Sequence, residues 1–338
     1  YGVALATLQR ALAGLLADGT LRAEDGRGTF VAAAASAPRE RARRLAIVAE
    51  AGQQPSPRSV VTTWAPRVVE SIERAVSRAG GVTAVHAWTH GSDVNRAVPA
   101  AVREALAGSA DAVAVVALNH DLRLADAVAR AVEPSGVPLV MITHGRMDSP
   151  LAHVFFDGWT GGHLAAEHLL ASGYRRLAFL APYTADWLQV RLAGAQSAAA
   201  RHELLLHLVP SEPVTRTGHR PDTDLARELA LTFLRGNAAE KLVEWAIIAP
   251  NDASAYGVLA AAQSLGLQAG PDFGLIGFDD DVDSRQLGLT TLRPPADLLG
   301  EEATRLLLTQ LDGQPAALQV GLRPDLVVRA STQRTARY

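Results

Sequence analysis

The sequence predicts an α/β protein of two lobes, each a parallel sheet covered by helices, behind a small basic helix-and-hairpin end. Three observations predict it. Short apolar or β-branched runs alternate with longer stretches of helical periodicity, the pattern of parallel strands joined by helical crossovers. The alternation breaks near residues 144–157 and then repeats, so two successive open sheets are preferred to one closed barrel of eight units. Residues 1–44 hold seven Arg against Asp18, Glu24, Asp25 and Glu40, a net +3, which leaves −6 on the rest of a chain whose total is −3.

The elements follow in chain order. Residues 2–16 put apolar side chains at 5, 8, 12, 15 and 16, a helical stripe that Asp18-Gly19 ends. Leu21-Arg22-Ala23, a turn at Asp25-Gly26, and Gly28-Thr29-Phe30-Val31 read as a hairpin. Small residues from Ala32 to Pro38, followed by Arg39-Glu40-Arg41, read as a linker. The expected strands are then 45–49, 82–88, 112–117, 139–143, 177–181, 205–209, 245–249 and 273–277. The expected helices are 65–79, 94–107, 121–133, 158–172, 187–202, 222–235, 252–265 and 295–311. This gives a domain over 1–35, a linker over 36–44 and a body over 45–338. The first lobe is expected over about 45–147 and 293–320, the second over 148–292 and 321–332. Crossings between them are expected near 145–150, 290–294 and 318–322.

Composition bounds the chemistry. Of 338 residues, 48% are hydrophobic and 20% charged, enough to bury a sizeable core. With no Cys there is no disulfide scaffold, thiol catalysis, iron–sulfur cluster or Cys-based zinc site. Charges, Pro or Gly interrupt every apolar run before the ~18 residues a membrane span needs. Tyr1 in place of Met reads as the start of a fragment, so a missing leader says little. The basic end on an acidic body points to a polyanion partner, weakly when taken alone.

Catalytic and metal patterns are absent. There is no Gly-x-Ser-x-Gly, phosphate-binding Gly-rich loop or His-Glu-x-x-His. Gly26-Arg27-Gly28 lacks a third Gly and follows no strand of a dinucleotide fold. His163 and His168 lie about 140° apart around a helix and cannot share a metal. Asp279-Asp280-Asp281-Val282-Asp283 has Ser284 where a calcium loop needs Gly, and Thr290 where it needs Glu. No catalytic residue, metal site or cofactor is expected, and the chain reads as a non-enzyme.

Helix, hairpin and tight Gly tip suit a winged helix that sets one helix in the major groove. The segment resembles the end of a GntR-type DNA-binding domain through Tyr1-Gly2-Val3, Thr7, Arg10-Ala11-Leu12, Gly19, Leu21 and Gly26-Arg27-Gly28-Thr29-Phe30-Val31. The resemblance implies DNA contacts by Thr7, Arg10, Arg27 and Gly28. The chain departs from that family at Ala4-Leu5 and Gln9, where Ser-Arg and a second Arg are usual.

The remaining residues resemble the effector-binding domain of the LacI/GalR family, a periplasmic-binding-protein type I fold. The match runs through Ala246-Ile247-Ile248-Ala249-Pro250-Asn251-Asp252, Gly277-Phe278-Asp279-Asp280, Leu289-Thr290-Thr291-Leu292-Arg293-Pro294-Pro295 and Leu326-Val327-Val328-Arg329-Ala330-Ser331-Thr332. Upstream it includes Asp157, Gly161, Gly173-Tyr174-Arg175-Arg176-Leu177 and Arg191-Leu192-Ala193-Gly194.

In an open parallel sheet ligands sit beyond the carboxyl ends of the strands, where Asn251, Asp252 and Asp279 fall. The resemblance implies that Arg191, Asn251 and Asp279 hold a small effector, a monosaccharide or derivative, with Trp64 and Trp187 as aromatic walls. Arg gives a donor fork, Asn a donor and an acceptor, and Asp accepts hydroxyl protons. Asp252 reads equally well as a helix N-cap, and Asp280 as structural. Trp88 and Trp245 read as core. Where relatives carry an acid after the fourth strand, this chain has Thr143-His144-Gly145-Arg146. Together these imply a cytoplasmic, homodimeric, arabinose-repressor-like regulator of operator DNA. The alternative on the same fold is a solute-binding protein for a sugar transporter.

Overall fold

The computed structural model describes residues 12–13, 15–16, 21–24, 28–31, 42–51, 65–89, 93–117, 122–210, 221–237 and 242–334. The chain divides into two units, residues 1–43 and 44–338. In the first, Leu12, Ala13, Leu15 and Leu16 are helical. There β1 (Leu21–Glu24) pairs antiparallel with β2 (Gly28–Val31), from Leu21↔Val31 to Glu24↔Gly28. This is the hairpin the turn residues foretold.

The second unit holds two six-stranded sheets. The first is built from β3 (Arg44–Glu50), β4 (Val82–Trp88), β5 (Ala112–Val116), β6 (Leu139–Thr143), β7 (Ala152–Phe156) and β13 (Gln319–Leu322), in the order β13-β7-β6-β5-β3-β4. The second uses β8 (Arg176–Leu180), β9 (Leu206–Val209), β10 (Trp245–Ile248), β11 (Gly274–Phe278), β12 (Thr290–Arg293) and β14 (Asp325–Val327), in the order β14-β12-β11-β10-β8-β9. Ranked within each lobe, the two orders are identical. They differ at one edge: β13 runs parallel to β7, whereas β14 runs antiparallel to β12.

Central strands such as Ala-Val-Ala-Val-Val in β5 and Leu-Val-Met-Ile-Thr in β6 are buried along their whole length. Helices cover both faces, so these strands are continuous apolar runs, not alternating ones. In the first lobe α1 (Ala65–Arg78) and α9 (Ala296–Leu311) cover one face, and α2 (Val94–Ala107) and α3 (Leu122–Val132) the other. In the second, α4 (Gly158–Ala171) and α5 (Asp186–Arg201) cover one face, and α6 (Asp222–Gly236) and α7 (Asp252–Ser264) the other. A short α8 (Val282–Gln286) follows β11. Among the described residues no helix is long and apolar enough to cross a membrane.

Three expected boundaries move. The first crossing lies after Phe156, not near 145–150, because β7 pairs with β6 and β13 and belongs to the first sheet. The second lobe therefore starts near 157 and not at 148. The second crossing is at Pro294-Pro295, between β12 and α9, and the third falls between β13 and β14, at residues 323–324. The linker also ends a residue early, since Arg44 already pairs with Val82. What concealed β7 is His153, a polar residue mid-strand. Its Nε2 accepts from the Met147 N–H at 3.1 Å and its Nδ1 faces Leu151 O at 3.3 Å, so it is buried as a neutral ring. Burial lowers its pKa accordingly.

Candidate functional site

The site is set by how closely α5 lies on α4. A Cβ on Gly162 would stand 1.9 Å from Arg191 O, and one on Gly194 would stand 1.9 Å from Trp159 O. Only glycine at both positions lets the backbones approach this far. The result carries Arg191 inward, where it is 1% exposed. Its guanidinium lies over Phe278 at 4.6 Å, Trp187 at 4.7 Å and Phe156 at 5.1 Å, and its Nη1 donates to Pro250 O. Nε and Nη2 are buried without an acceptor. Burial drags this pKa down, while the charges of Asp279, Tyr183 and Asp252 oppose that. The guanidinium keeps its proton in any case.

Asp279 follows β11 with φ +116°, a conformation L residues rarely adopt, and Asp280 follows with φ +50°. Its Oδ1 is buried and has no hydrogen-bond partner. Burial pushes the Asp279 carboxyl up to about 8, against the pull of Arg191. Such a strained pair of residues at the end of a buried strand marks a functional loop more often than a structural one.

Asn251, not Asp252, is the N-cap of α7: its side chain accepts from Ser254 N–H at 2.8 Å. Its Nδ2 donates to Asp222 Oδ2 at 3.0 Å, and the Tyr183 hydroxyl donates to the same oxygen at 2.7 Å. Asp252 accepts from Thr291 Oγ1 at 2.7 Å, Ser284 Oγ at 2.5 Å and Asp281 N–H at 2.9 Å. It is 1% exposed. Burial raises its pKa to about 7 while those three donors pull the other way. A Cβ on Gly277 would lie 2.2 Å from Asp252 Oδ1, so the glycine makes the room this carboxylate occupies. Asp252 therefore ties β11, β12 and α8 together, with no free face toward a ligand.

Asp280 is structural, as its sequence context suggested. It pairs with Arg293 Nε and Arg329 Nη2, each at 2.6 Å. Burial pushes its carboxyl up, but these arginines hold it below the usual range. Asp281 caps α8 by accepting from Val282 N–H at 2.6 Å. Asp280 and Asp281 are thus spent on arginines and backbone, and the described residues contain no group of three or more His, Asp or Glu that could hold a metal. His163 and His168 also part company: one faces Glu167 at 3.7 Å, the other Thr332 Oγ1 at 2.9 Å.

Trp187, half-buried, stacks against His144 from the first lobe at 6.0 Å and meets Tyr183 edge-on at 6.2 Å. Trp88 and Trp245 sit in cores. Trp64, Thr7, Arg10 and Arg27 lie outside the described residues, and Gly28 opens β2 opposite Glu24. Sequence reasoning missed Asp222 and Tyr183. The signal was available for the first, since an acidic residue opening α6 beside the carboxyl ends of the strands stands where ligands gather. Tyr183 carries no pattern that sets it apart from a core aromatic.

The arrangement offers a buried donor fork and a buried acceptor, with an aromatic ring beside them. It suits an uncharged ligand that both donates and accepts hydrogen bonds.

Residues 166–332 match the family described as periplasmic binding protein-like domain. The lactose operon repressor of Escherichia coli strain K12 is 28% identical over 226 residues, 66% of this chain and 59% of the repressor. The arabinose metabolism transcriptional repressor of Geobacillus stearothermophilus is 29% identical over 204 residues, 58% of this chain and 54% of the repressor. The chain thus spans somewhat more than half the length of these curated relatives. A solved regulatory protein of the LacI family from Chloroflexus aggregans superimposes with a TM-score of 0.71 at 23% identity, covering 85% of this chain and 98% of that one. A LacI transcriptional regulator from a Rhodococcus species gives a TM-score of 0.67 at 27% identity, covering 86% and 98%.

Proposed function

We propose that the two-sheet body is an effector-binding domain of the LacI/GalR type and that the chain is a DNA-binding transcription regulator, a repressor, controlled by a small polyhydroxylated effector. The match of residues 166–332 and the likeness to regulators support it. One observation carries the reading. Arg191 has two buried nitrogens, Nε and Nη2, without acceptors, and Asp279, within reach of its charge, has a buried oxygen without a donor. Leaving such groups unpaired is destabilising, and adjacent hydroxyls of a monosaccharide or derivative would satisfy both.

In this reading Arg191, Asn251 and Asp279 hold the effector. Trp187 forms one wall and Trp64 of the first lobe another. Asp222 fixes the Asn251 amide. Residues 1–35 act as a partial GntR-type winged helix, with Thr7, Arg10, Arg27 and Gly28 toward DNA and the linker passing on the lobe movement. A homodimer would match a two-fold operator. Protein of this kind is cytoplasmic and performs no catalysis. The effector shifts DNA affinity by binding one lobe arrangement better than the other, and the coupling is reciprocal. The named relatives are regulators, which weighs against a transporter's solute-binding protein.

The test is calorimetry against a panel of monosaccharides, followed by operator mobility shift with and without the sugar that binds. Asp279→Asn and Arg191→Gln should each remove sugar binding. If no sugar binds, or a bound sugar leaves DNA affinity unchanged, the reading fails.

A further inference from the structure

The loop that follows β11 is strained at two successive residues. Asp279 and Asp280 both carry positive φ, +116° and +50°, where glycine is the usual occupant. Two L residues hold such torsions only where their surroundings over-determine them. Backbone donors supply part of that constraint. The Asp279 N–H donates to Leu292 O at 2.9 Å, and the Asp280 N–H to Thr291 Oγ1 at 3.3 Å.

The rest comes from the Asp280 side chain. Each of its oxygens takes a separate arginine: Oδ2 accepts from Arg293 Nε and Oδ1 from Arg329 Nη2, both at 2.6 Å. Neither arginine is loosely set. Arg293 ends β12 and precedes Pro294, which restricts its backbone to extended conformations. Arg329 is fixed by its Nη1 on Leu289 O at 2.7 Å and by its N–H on Thr290 Oγ1 at 2.8 Å. Asp280 is thus gripped between the end of β12 and the chain beyond β14. Its neighbour Asp279 is turned inward, within reach of the Arg191 charge, with no hydrogen bond on Oδ1.

Released from these bonds, the two torsions would relax toward negative φ and swing the Asp279 carboxyl away from Arg191. We propose that Asp280 is the positioning residue for Asp279: gripped by Arg293 and Arg329, it holds the neighbouring carboxyl toward Arg191 without touching a ligand itself. The charged groups facing Asp279 are Arg191 of α5, Asp252 of α7, Asp222 of α6 and Asp281 of its own loop.

The readout is carbon-13 NMR of side-chain carboxyls in the whole chain, titrated with pH and without ligand. Asp279→Asn identifies the Asp279 signal by its disappearance. In the wild type that signal should titrate at about 8, well above the ordinary value near 4. Arg293→Gln and Arg329→Gln decide by sign. Removing a cation while Asp279 stays in place would raise its pKa. Loss of the grip lets the carboxyl reach water, and should lower it by about one pH unit or more. Asp280→Gly, which takes φ +50° without strain, should also lower it. Arg78→Gln, which loses the ion pair to Glu301 in the first lobe, should leave it unchanged. This role serves the function proposed above, yet the titration needs no sugar, so the two can fail separately. Where a sugar binds, its affinity should fall tenfold or more in Arg293→Gln and in Arg329→Gln. The proposal is overturned if wild-type Asp279 titrates near 4, or if its pKa stays or rises in both arginine variants. A sugar that binds both variants as tightly as the wild type overturns it too.

Discussion

The lobes repeat the same helix pairing by opposite means. In the first, α1 and α9 lie side by side on the sheet; in the second, α5 and α4 occupy the corresponding places. The α1/α9 pair is fastened at its rim by half-exposed ion pairs, Arg67 and Arg74 to Asp297 and Arg78 to Glu301, at 2.7–2.9 Å. Its one tight point is Gly300, where a Cβ would come 2.6 Å from Ser71 Cβ and 2.8 Å from Val68 O, a looser approach to backbone than at Gly162 or Gly194. The α4/α5 pair has a glycine on each helix set against the other's backbone carbonyl. Side chains can give way and solvent-facing ion pairs can rearrange, but a carbonyl locked in a helix cannot. The difference follows what each pair carries. α5 must hold a buried guanidinium in register with Asp279, and among the described residues of α1 and α9 no buried charge asks the same.

The comparison breaks first at the glycines. Gly162→Ala or Gly194→Ala should destabilise by ~3 kcal/mol or more, as overpacking against backbone does at its severe end. Denaturant unfolding measures it, and a loss under about 1 kcal/mol would mean the two helix pairs are equally compliant. Gly300→Ala should cost about 1–3 kcal/mol, and Ser71→Gly should recover part of that in the double variant.

A slope with pH should come from the second lobe. The folded protein keeps a proton on Asp279 from the ordinary carboxylate value near 4 up to about 8, whereas the unfolded chain has released it. The folded state then binds more protons, so stability falls as pH rises through that window. Asp279 contributes at most about 1.4 kcal/mol per pH unit, and Asp252, raised to about 7, adds to the fall below its own pKa. Asp279→Asn should lessen the slope, leaving the share of Asp252, and an unchanged profile would assign the slope elsewhere. If a sugar donates a hydroxyl to the Asp279 carboxylate, its affinity should rise over the same pH range with release of up to one proton, which calorimetry in buffers of different ionisation heat detects. The smallest effect belongs to the rim. Asp297→Ala removes two ion pairs whose partners are about half exposed, for a loss of about 1 kcal/mol or less that shrinks in high salt.

Eight strands and eight helices of the body were legible within a residue or two, because buried parallel strands and amphipathic helices write different periods into the chain. The misses share a cause. β7 is broken by His153, whose polarity is cancelled only by Met147 and Leu151, partners that the linear pattern does not reveal. β12, β13 and β14 are short segments near prolines, the last two at sheet edges, with too few residues to show a period. Of the site, Arg191, Asn251, Asp279 and Trp187 were read from a family likeness and from the ends of strands. That Asn251 is already engaged by Ser254 and Asp222 was not legible, since Asp222 lies 29 residues away and meets it only through the packing of α6 on α7.

The last strands of the two sheets, β13 and β14, are laid down by residues 319–327, and α9, which completes one face of the first core, ends at Leu311. A ribosome that has finished the first lobe's central strands has therefore made neither its final strand nor its last covering helix. Until then the edges of β7 and β12 stay unpaired, open to pairing with another chain. Synthesis through residue 318 yields no finished sheet; both gain their last strand together, within residues 319–327.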